Sequence, residues 1–246
     1  MKIRTRLSPG MFLPVLYTQP AGDRSVAITV DDAPMPDSMP GMLDALDAFG
    51  AKATFFMSGC RAALAEELVA ETVRRGHAVY AHGWEHIRLD RAGTHRLVAD
   101  FDRCEALLAK YRPTPAPYLV RMPYNGGHRK VAVHRALAKW APGCQIAHWR
   151  LSTEDHLIAP ACISAAEVEA RCRAEAVRVA ASPDIEGAVI LMHDQPINER
   201  PGGELKPAVT VALMRELVAA LAARGVAMTT LKPDPHPPSW RRWVLV

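Results

Sequence analysis

The chain has 246 residues, of which 49% are apolar and 23% are charged, as is typical of a globular domain with a buried core. This composition excludes a mainly disordered, collagenous or disulfide-stapled chain, and the length favours one α/β domain of barrel size. The net charge of +4 gives no basis for a nucleic-acid partner, and no apolar run approaches the ~20 residues of a membrane span.

The chain ends and the cysteines bear on the cellular compartment. Residues 1–6 are basic, as in a signal peptide, but the next apolar stretch, Met11–Tyr17, is short, contains Pro14 and precedes no small-x-small cleavage site. The five cysteines are scattered without a CxxC pair, which favours reduced thiols: Cys60, Cys104, Cys144, Cys162 and Cys172. We therefore expect no export signal and a cytoplasmic protein. After Lys232 several prolines interrupt regular structure, and we expect Trp240–Val246 to pack back on the domain rather than contact a membrane.

Seven short apolar runs alternate with helical patterns along the chain. The runs are predicted as strands covered on both faces, because their apolar residues are nearly continuous. They are Ser25–Val30, Ala51–Met57, His77–Ala81, Tyr118–Met122, Cys144–Trp149, Ala188–Met192 and Val226–Leu231. The helical patterns, several of which end at Gly or before Pro, are Met42–Phe49, Arg61–Arg75, His95–Tyr111, His128–Trp140, Ser164–Ala181 and Leu205–Arg224. This alternation predicts parallel strands with outer helices, in an open doubly wound sheet or a barrel.

Polar residues lie at or just after the carboxyl ends of five of these runs. They are Asp31–Asp32, His82–His86, Arg121–Tyr124, Asp155 and His193–Asp194. No nucleotide-binding glycine fingerprint follows the first run. In a closed parallel barrel the carboxyl ends of the strands converge on one face, where active sites are built. We therefore predict a barrel rather than an open sheet.

Two of these motifs have the chemistry of a metal site. Adjacent carboxylates at the end of a buried strand, Asp31 and Asp32, lose hydration and repel each other unless a cation or donor compensates. His82 and His86 would point the same way on a helix, and neutral imidazoles are good ligands for zinc-like metals. One carboxylate with two imidazoles leaves positions open for water, as in a catalytic site. Each motif alone also has a structural explanation, since Asp is common in turns and a chance His pair is not rare.

The other three motifs have the chemistry of a base partner and of an acid with its carboxylate. Arg121 follows an apolar run, where a solvated charge is unexpected, and its guanidinium could hold a carboxylate in the ionised state. His193 ends a buried run, and a histidine there is by itself more often a core residue than a catalyst. With Asp155 available to accept its second N–H, His193 could serve as a tuned acid.

Taken in order, the motifs resemble those of the polysaccharide deacetylase family, the NodB homology domain or carbohydrate esterase family 4. They are Thr29-Val-Asp-Asp32, His82-x-x-x-His86, Arg121-x-Pro-Tyr124, Asp155 and Leu191-x-His193. The resemblance covers residues 25–231 of one catalytic domain, 1–246, with a short N-terminal extension and a Pro-rich tail. It implies a distorted (β/α)7 TIM-like barrel and a hydrolase of carbon–nitrogen bonds that removes N-acetyl groups from amino sugars.

The resemblance also implies the roles of the base and the metal ligands. Asp31 would be the general base, and Arg121 would position and ionise it. One divalent ion would bind to Asp32, His82 and His86, with Zn²⁺ as the first candidate and Co²⁺, Ni²⁺, Mn²⁺ or Fe²⁺ as alternatives. These roles suit amide hydrolysis, which needs a hydroxide equivalent at neutral pH.

On the opposite side of the site, the resemblance implies an acid and substrate contacts. His193 would be the general acid that protonates the leaving amine, oriented by Asp155. The backbone N–H of Tyr124 would help hold the oxyanion, and Tyr124 would also contact substrate. Leu191 would contact the acetyl methyl, and Trp84, between the two histidines, is a further substrate-binding candidate.

The sequence departs from the family pattern at three positions. Ala33 and Gly83 replace a usual Gly and a usual Ser or Thr, and we expect these changes to affect loop support. His156 replaces an aromatic residue at the pocket wall, so we do not expect a long-glycan groove. The expected partner is therefore a small or lipid-linked N-acetylated sugar, and the sequence leaves the oligomeric state open.

Two alternatives remain open from the sequence. A related amidase or cyclic-imide hydrolase would act on a small non-sugar compound, although some relatives of that kind lack a complete set of metal ligands. A catalytically silent sugar-binding or scaffolding protein would be favoured by loss of the base or the acid, and both Asp31 and His193 are present.

Overall fold

A computed structural model describes residues 12–197 and 202–235 of the chain. The elements within them are β1 (Val15–Leu16), β2 (Val26–Ala33), α1 (Met39–Asp47), β3 (Thr54–Met57), α2 (Gly59–Ala62), α3 (Glu66–Arg74), β4 (Ala78–Ala81), α4 (Thr94–Leu108), β5 (Leu119–Val120), α5 (Val131–Trp140), β6 (Gln145–Ala147), β7 (Leu151–Ser152), α6 (Ala165–Ala180), β8 (Val189–His193), α7 (Lys206–Ala223) and β9 (Met228–Thr229). Short 3₁₀ turns occupy Pro123–Asn125, Asp155–Leu157, Ala159–Ala161 and Gly203–Leu205. The expectation that the basic first residues are not part of an export signal, and the expected packing of Trp240–Val246, concern residues outside the described ranges.

The ladders between the named strands are all parallel in the described part of the chain. One sheet has the order β4-β3-β2-β8-β7, with β9 beside the start of β2, and a second has the order β1-β6-β5. The predicted barrel of parallel strands with outer helices is confirmed in a distorted form, because its hydrogen bonds fall into two sheets instead of one closed ring. In the register of the larger sheet, Asp31 lies beside Phe56 on one side and His193 on the other.

The core lies between the strands and the helices packed on them. Every residue of β2 is buried, as the continuous apolar run predicts for a central strand. Helices α6 and α7 pack against each other, and α7 also packs against α1. No helix of the described residues has the length and apolar character that crossing a bilayer requires.

The structure divides the predicted helix Arg61–Arg75 into two. At the start of α2, the backbone N–H groups of Gly59 and Cys60 donate to the carbonyls of Gly83 and Trp84 at 2.9 and 3.0 Å. Helix α3 instead packs against β4, and the chain between the two helices leaves helical geometry at Ala65, where φ is −147°. The position of α2 is therefore fixed by the loop after β4, whereas the position of α3 is fixed by its packing on the barrel.

Candidate active site

The two adjacent carboxylates at the end of β2 face different partners. The register with β3 shifts between Asp31 and Ala33, and Asp32 has a φ of 68°, in the left-handed region that is rare outside glycine. Both aspartates are buried. The irregular backbone turns Asp31 towards Arg121 and Asp32 towards two histidines.

Arg121 is a buried cation that uses all three of its guanidinium nitrogens. Nη1 donates to Asp31 Oδ1 at 2.9 Å, Nε donates to the Ala147 carbonyl at 2.8 Å, and Nη2 donates to the His148 carbonyl at 3.1 Å and Thr29 Oγ1 at 3.2 Å. Burial lowers the pKa of Arg121, and the charge of Asp31 opposes that change. Among the described residues the guanidinium therefore has one charged partner, Asp31, and holds it in a fixed orientation.

The segment from His82 to His86 is a loop rather than the helix considered from its spacing. It leaves β4 with the His82 N–H donating to the Met57 carbonyl at 2.8 Å, and it turns through left-handed φ values of 79° at Gly83 and 50° at His86. The two imidazole centroids lie 5.1 Å apart. His82 Nδ1 lies 2.9 Å from the Arg121 carbonyl, which can only accept, so Nδ1 carries the proton and Nε2 presents its lone pair to the site.

Asp32, His82 and His86 form a cluster that fits a divalent cation. One ligand atom from each residue lies within 4.8 Å of the others, and all three residues are buried. Asp32 Oδ1 is 3.0 Å from His86 Nε2 and 3.6 Å from His82 Nε2. In the described part of the chain, neither Asp32 Oδ1 nor His86 Nδ1 has a hydrogen-bond partner. A buried carboxylate oxygen without a donor is costly, and a cation between it and the imidazoles would satisfy it.

The pKa values of the cluster favour the forms that bind metal. Burial alone would raise the pKa of Asp32, but the neighbouring His86, His193 and His82 hold it below its usual range. Burial lowers the pKa of His82, so its imidazole stays neutral. The Asp32 carboxylate is also held by the backbone, since the Ile197 N–H donates to Oδ2 at 2.8 Å.

His193 and Asp155 form a further pair at this site, with His193 beside Asp31 in the sheet. His193 Nδ1 is 2.9 Å from Asp155 Oδ1, and the His193 backbone N–H donates to Asp155 Oδ2 at 2.5 Å. Burial alone lowers the pKa of His193, but the charge and hydrogen bond of Asp155, with the charges of Asp32 and Asp31, raise it to about 10. The imidazolium is therefore stabilised, in the direction expected from the sequence.

These residues surround a cavity of about 420 Å³. The predicted residues in its lining are Asp31, Asp32, His82, His86, Tyr124, Leu191 and His193. Arg121 and Asp155 lie behind this lining and contact it through Asp31 and His193. Tyr124 has a left-handed φ of 55°, and its half-exposed ring lies 4.5 Å from the His86 ring.

The structure places Trp84 outside this lining. A Cβ added to Gly59 would lie 2.4 Å from Trp84 Cε3, and the Arg103 guanidinium lies 3.8 Å from the indole centroid. The backbone N–H of Trp84 donates to Asp100 Oδ1 at 2.5 Å. Because the loop directs His82 and His86 into the cavity, Trp84 packs between α2 and α4 instead, and we do not assign it a substrate contact.

Several further residues of the site belong to none of the motifs that the sequence predicts. The cavity wall also contains Asn125, Trp149, Ser152, Glu154, Pro196 and Ile197, together with His156 at the wall position considered above. Outside the wall, Arg61 donates to the carbonyls of Asp32 and Asp194 at 2.8 Å each and so ties the ends of β2 and β8 together. Wall residues such as Glu154 adjoin a motif residue and could have been found by that adjacency, whereas nothing local marks Arg61.

Asp194 faces away from the cavity although it follows His193. Its carboxylate accepts a hydrogen bond from Ser38 Oγ at 2.5 Å and from the Met35 N–H at 2.7 Å. Burial raises the pKa of Asp194 to about 7. Its place is structural, since it links the end of β8 to the loop before α1.

Comparison with known proteins agrees with this geometry. The sequence profile for polysaccharide deacetylase matches residues 18–140, which is half of the chain. A chitooligosaccharide deacetylase from a Bradyrhizobium species is 28% identical over 227 residues, covering 89% of this chain and 94% of the relative. A peptidoglycan-N-acetylglucosamine deacetylase from Listeria monocytogenes is 29% identical over 175 residues, covering 70% of this chain and 33% of the relative. This chain therefore spans about a third of the length of the Listeria protein.

The fold has solved counterparts as well. A family 4 carbohydrate esterase from Streptomyces lividans, solved in complex with acetate, has a TM-score of 0.66 with 25% identity, covering 85% of this chain and 93% of that one. This likeness supports the distorted (β/α)7 barrel predicted from the sequence. The matching profile and the shared fold confirm the resemblance carried by the motifs, and the chain belongs to the polysaccharide deacetylase family.

Proposed function

We propose that this protein is a metal-dependent hydrolase that removes the N-acetyl group from an amino sugar. One observation carries the proposal: a single cavity is lined by the Asp32 cluster, by a carboxylate paired with arginine and by a histidine paired with a carboxylate. Amide hydrolysis needs a base for water and an acid for the leaving amine, and these two pairs supply them. The names of the relatives, which are carbohydrate deacetylases, point to the same reaction.

Asp31 is the proposed base. Its carboxylate accepts a proton from water while Arg121 holds it in place through the hydrogen bond of 2.9 Å. The chemistry that a divalent ion supplies at Asp32, His82 and His86 is Lewis acidity, which lowers the pKa of water from ~15.7 to about 7 and polarises the amide carbonyl. We propose zinc, because imidazole and carboxylate ligands suit it, with Co²⁺, Ni²⁺, Mn²⁺ and Fe²⁺ as the alternatives.

His193 is the proposed acid. Because Nδ1 is bonded to Asp155, Nε2 is free to donate its proton to the sugar nitrogen as the carbon–nitrogen bond breaks. The backbone N–H of Tyr124 donates to the developing oxyanion, and Leu191 contacts the acetyl methyl. The products are acetate and the free amine.

We propose a small or lipid-linked sugar as the substrate, acted on in a reducing compartment such as the cytoplasm. A cavity of about 420 Å³ lies in the range of small-molecule sites, and His156 supplies a polar wall. The five cysteines are free thiols, and four of them are buried, which suits a reducing compartment.

The test is acetate release from a panel of N-acetylated sugars and oligomers, with and without a chelator and after adding back each candidate metal. Acetate release that stops with chelator and returns with zinc is the expected result. Opening of a cyclic imide without action on any sugar would favour the amidase alternative, which the names of the relatives do not support. Sugar binding without any acetate release would point to the silent binding protein.

A further inference from the structure

Asn125 lies in the cavity wall directly after Tyr124 and has no role in the reaction described above. Its φ of 52° lies in the left-handed region, which asparagine adopts more readily than most residues with a Cβ. The Asn125 backbone N–H donates to the Met122 carbonyl at 3.1 Å, and its carbonyl accepts from His128 Nδ1 at 3.2 Å. The loop after β5 therefore holds this side chain at the cavity.

Behind Asn125, the buried His148 ring is held in one orientation. Its neighbours are the rings of Trp149, Tyr17 and His128, whose centroids lie at 4.3, 4.4 and 5.1 Å. The Trp149 backbone N–H donates to His148 Nδ1 at 2.8 Å and is closer to it than the Trp149 carbonyl, at 3.2 Å. Burial lowers the pKa of His148 to about 4, so at neutral pH the ring is uncharged and carries one proton. Because Nδ1 accepts, that proton is on Nε2.

The proton on His148 Nε2 determines which way the Asn125 amide faces. Asn125 Nδ2 lies 2.8 Å from His148 Nε2, but two N–H groups cannot donate to each other. The oxygen and nitrogen of an amide are told apart by their partners, so the oxygen belongs at this position, where it accepts from Nε2. The NH2 group then occupies the other end of the amide. Among residues 12–197 and 202–235 that end has no hydrogen-bond partner, and it is not one of their buried unpartnered atoms. It is therefore open to a ligand in the cavity.

We propose that Asn125 is a specificity-determining residue whose NH2 group donates to a sugar oxygen beside the acetamido-bearing carbon. The preceding residue, Tyr124, has the backbone N–H assigned above to the oxyanion, and consecutive Cα atoms are only ~3.8 Å apart. An acetyl group bound at Tyr124 therefore brings the neighbouring ring carbons towards Asn125. In an amino sugar these carbons bear oxygens, which accept hydrogen bonds, whereas in a hydrocarbon amide they bear none. This inference rests on the proposed deacetylase function and explains how the site would select a sugar.

The experiment compares two matched ligands and two single variants of the full chain supplied with zinc. The ligands are N-acetylglucosamine and N-acetylcyclohexylamine, which has an acetamido group on a six-membered ring without oxygens. Their Kd is measured by NMR titration, and KM and kcat by acetate release. Asn125→Gly deletes the amide and permits the left-handed backbone. His128→Ala is the control, since it removes a contact of the same loop but His128 does not line the cavity.

Asn125→Gly should weaken binding of the sugar relative to the cyclohexyl amide by about threefold to tenfold, as loss of one hydrogen bond predicts. The change should appear in Kd and KM more than in kcat, because bound substrate and transition state lose the same contact. His128→Ala should not change the ratio of the two affinities. An unchanged ratio in Asn125→Gly, or an equal change in His128→Ala, would overturn the proposal.

The tautomer of His148 gives a test that is independent of activity. Nitrogen-15 NMR of histidine-labelled protein at neutral pH should find the His148 proton on Nε2, and a proton on Nδ1 would reject the assigned orientation of the Asn125 amide. A sugar preference that depends on Asn125 in a protein that releases no acetate would sustain this assignment and reject the deacetylase function. Acetate release from sugars with an unchanged affinity ratio in Asn125→Gly would do the reverse.

Discussion

Adjacent residues in this site have separable roles. Asp31 and Asp32 are consecutive in the chain and both are carboxylates, but Asp31 is held by Arg121 and Asp32 faces two imidazoles. The shifted register at the end of β2 makes this separation possible, because it directs consecutive side chains to different partners. The roles can therefore be tested by conservative substitutions that keep the shape of each side chain.

Asp31→Asn should keep the metal and lose activity. The amide keeps the shape but cannot take up a proton, so kcat should fall by about 10²–10⁴-fold, the usual contribution of a positioned base. Metal content by elemental analysis and kcat are measured on the same preparation. If Asp31→Asn lost its metal while Asp32→Asn kept it, the two roles would be exchanged.

Alanine at Asp32, His82 or His86 should remove both metal and activity. Each substitution deletes one of three protein ligands, and a pair of ligands does not hold a divalent ion tightly. His95→Ala is the matched control, because His95 is exposed and lies outside the cluster. Full metal occupancy in a variant with both His82→Ala and His86→Ala would refute the ligand set.

Asp155→Asn should move the alkaline limb of the pH–rate profile to lower pH. Asp155, together with the charges of Asp32 and Asp31, raises the pKa of His193 to about 10, so the wild type keeps its acid protonated into alkaline solution. Removing that charge lowers the pKa, so the acid loses its proton at lower pH and the maximal rate falls, by up to about 10²–10⁴-fold. The profile is measured on kcat/KM, with Asp184→Asn, an exposed carboxylate, as control. An unmoved limb in Asp155→Asn would show that Asp155 does not tune His193.

At the scale of elements, the predictable features were those with a local pattern. The strand β8 (Val189–His193) lies within one residue of the predicted run Ala188–Met192 at both ends. It could be predicted because its apolar residues are continuous. The strands β1 and β7 were not predicted, because two residues carry no periodicity and their pairing with β6 and β8 depends on contacts between distant segments.

The site divides in the same way. The motif residues could be found because chemically active side chains at strand ends are unusual in a buried setting. The hydrogen bond from the Ile197 N–H to Asp32 and the hydrogen bonds from Arg61 to the ends of β2 and β8 could not be predicted. Backbone donors and contacts between distant segments produce no pattern in the local sequence.

The loop between β4 and α4 shows how an element supports the site. Gly83 has a φ of 79°, and a Cβ there would lie 2.8 Å from Asp100 Oδ1, the atom that accepts the Trp84 N–H. Gly83→Ser, although it restores the usual family residue, should therefore lower the free energy of unfolding by about 1–3 kcal/mol, the usual cost of local strain. It should also weaken metal binding, because the strained loop includes His86.

The control for this prediction is Gly93→Ser. Gly93 has a similar φ of 84° but no atom within 4 Å of an added Cβ, so it has the backbone cost without the clash. Urea unfolding of metal-free protein and competition for zinc with a chelator measure the two effects. Equal losses of stability in the two variants would show that Asp100 does not constrain this position.

At the scale of the whole molecule, buried neutral histidines should make the fold sensitive to acid. Burial lowers the pKa of His77 to about 4, and the charges of Lys52 and Arg75 act in the same direction. His77 Nδ1 accepts the Ala53 N–H at 3.2 Å, while Nε2 is buried without a partner in the described residues. Burial likewise lowers the pKa of His148 to about 4. The unfolded chain therefore binds protons that the folded chain does not.

The sign of the effect follows from this difference. A histidine whose pKa is lowered by folding contributes its full stability above its unfolded value of ~6.5 and loses it as the pH falls towards about 4. Over that interval each such histidine lowers the free energy of unfolding by ~1.4 kcal/mol for each unit by which the pH falls. His77→Asn, whose side-chain oxygen can still accept the Ala53 N–H, should lose less stability between pH 6.5 and pH 4 than the wild type. Urea midpoints across this range measure the difference, with the exposed His95→Asn as control. If His77→Asn and the wild type lost stability in parallel, protonation of His77 would not be what weakens the fold in acid.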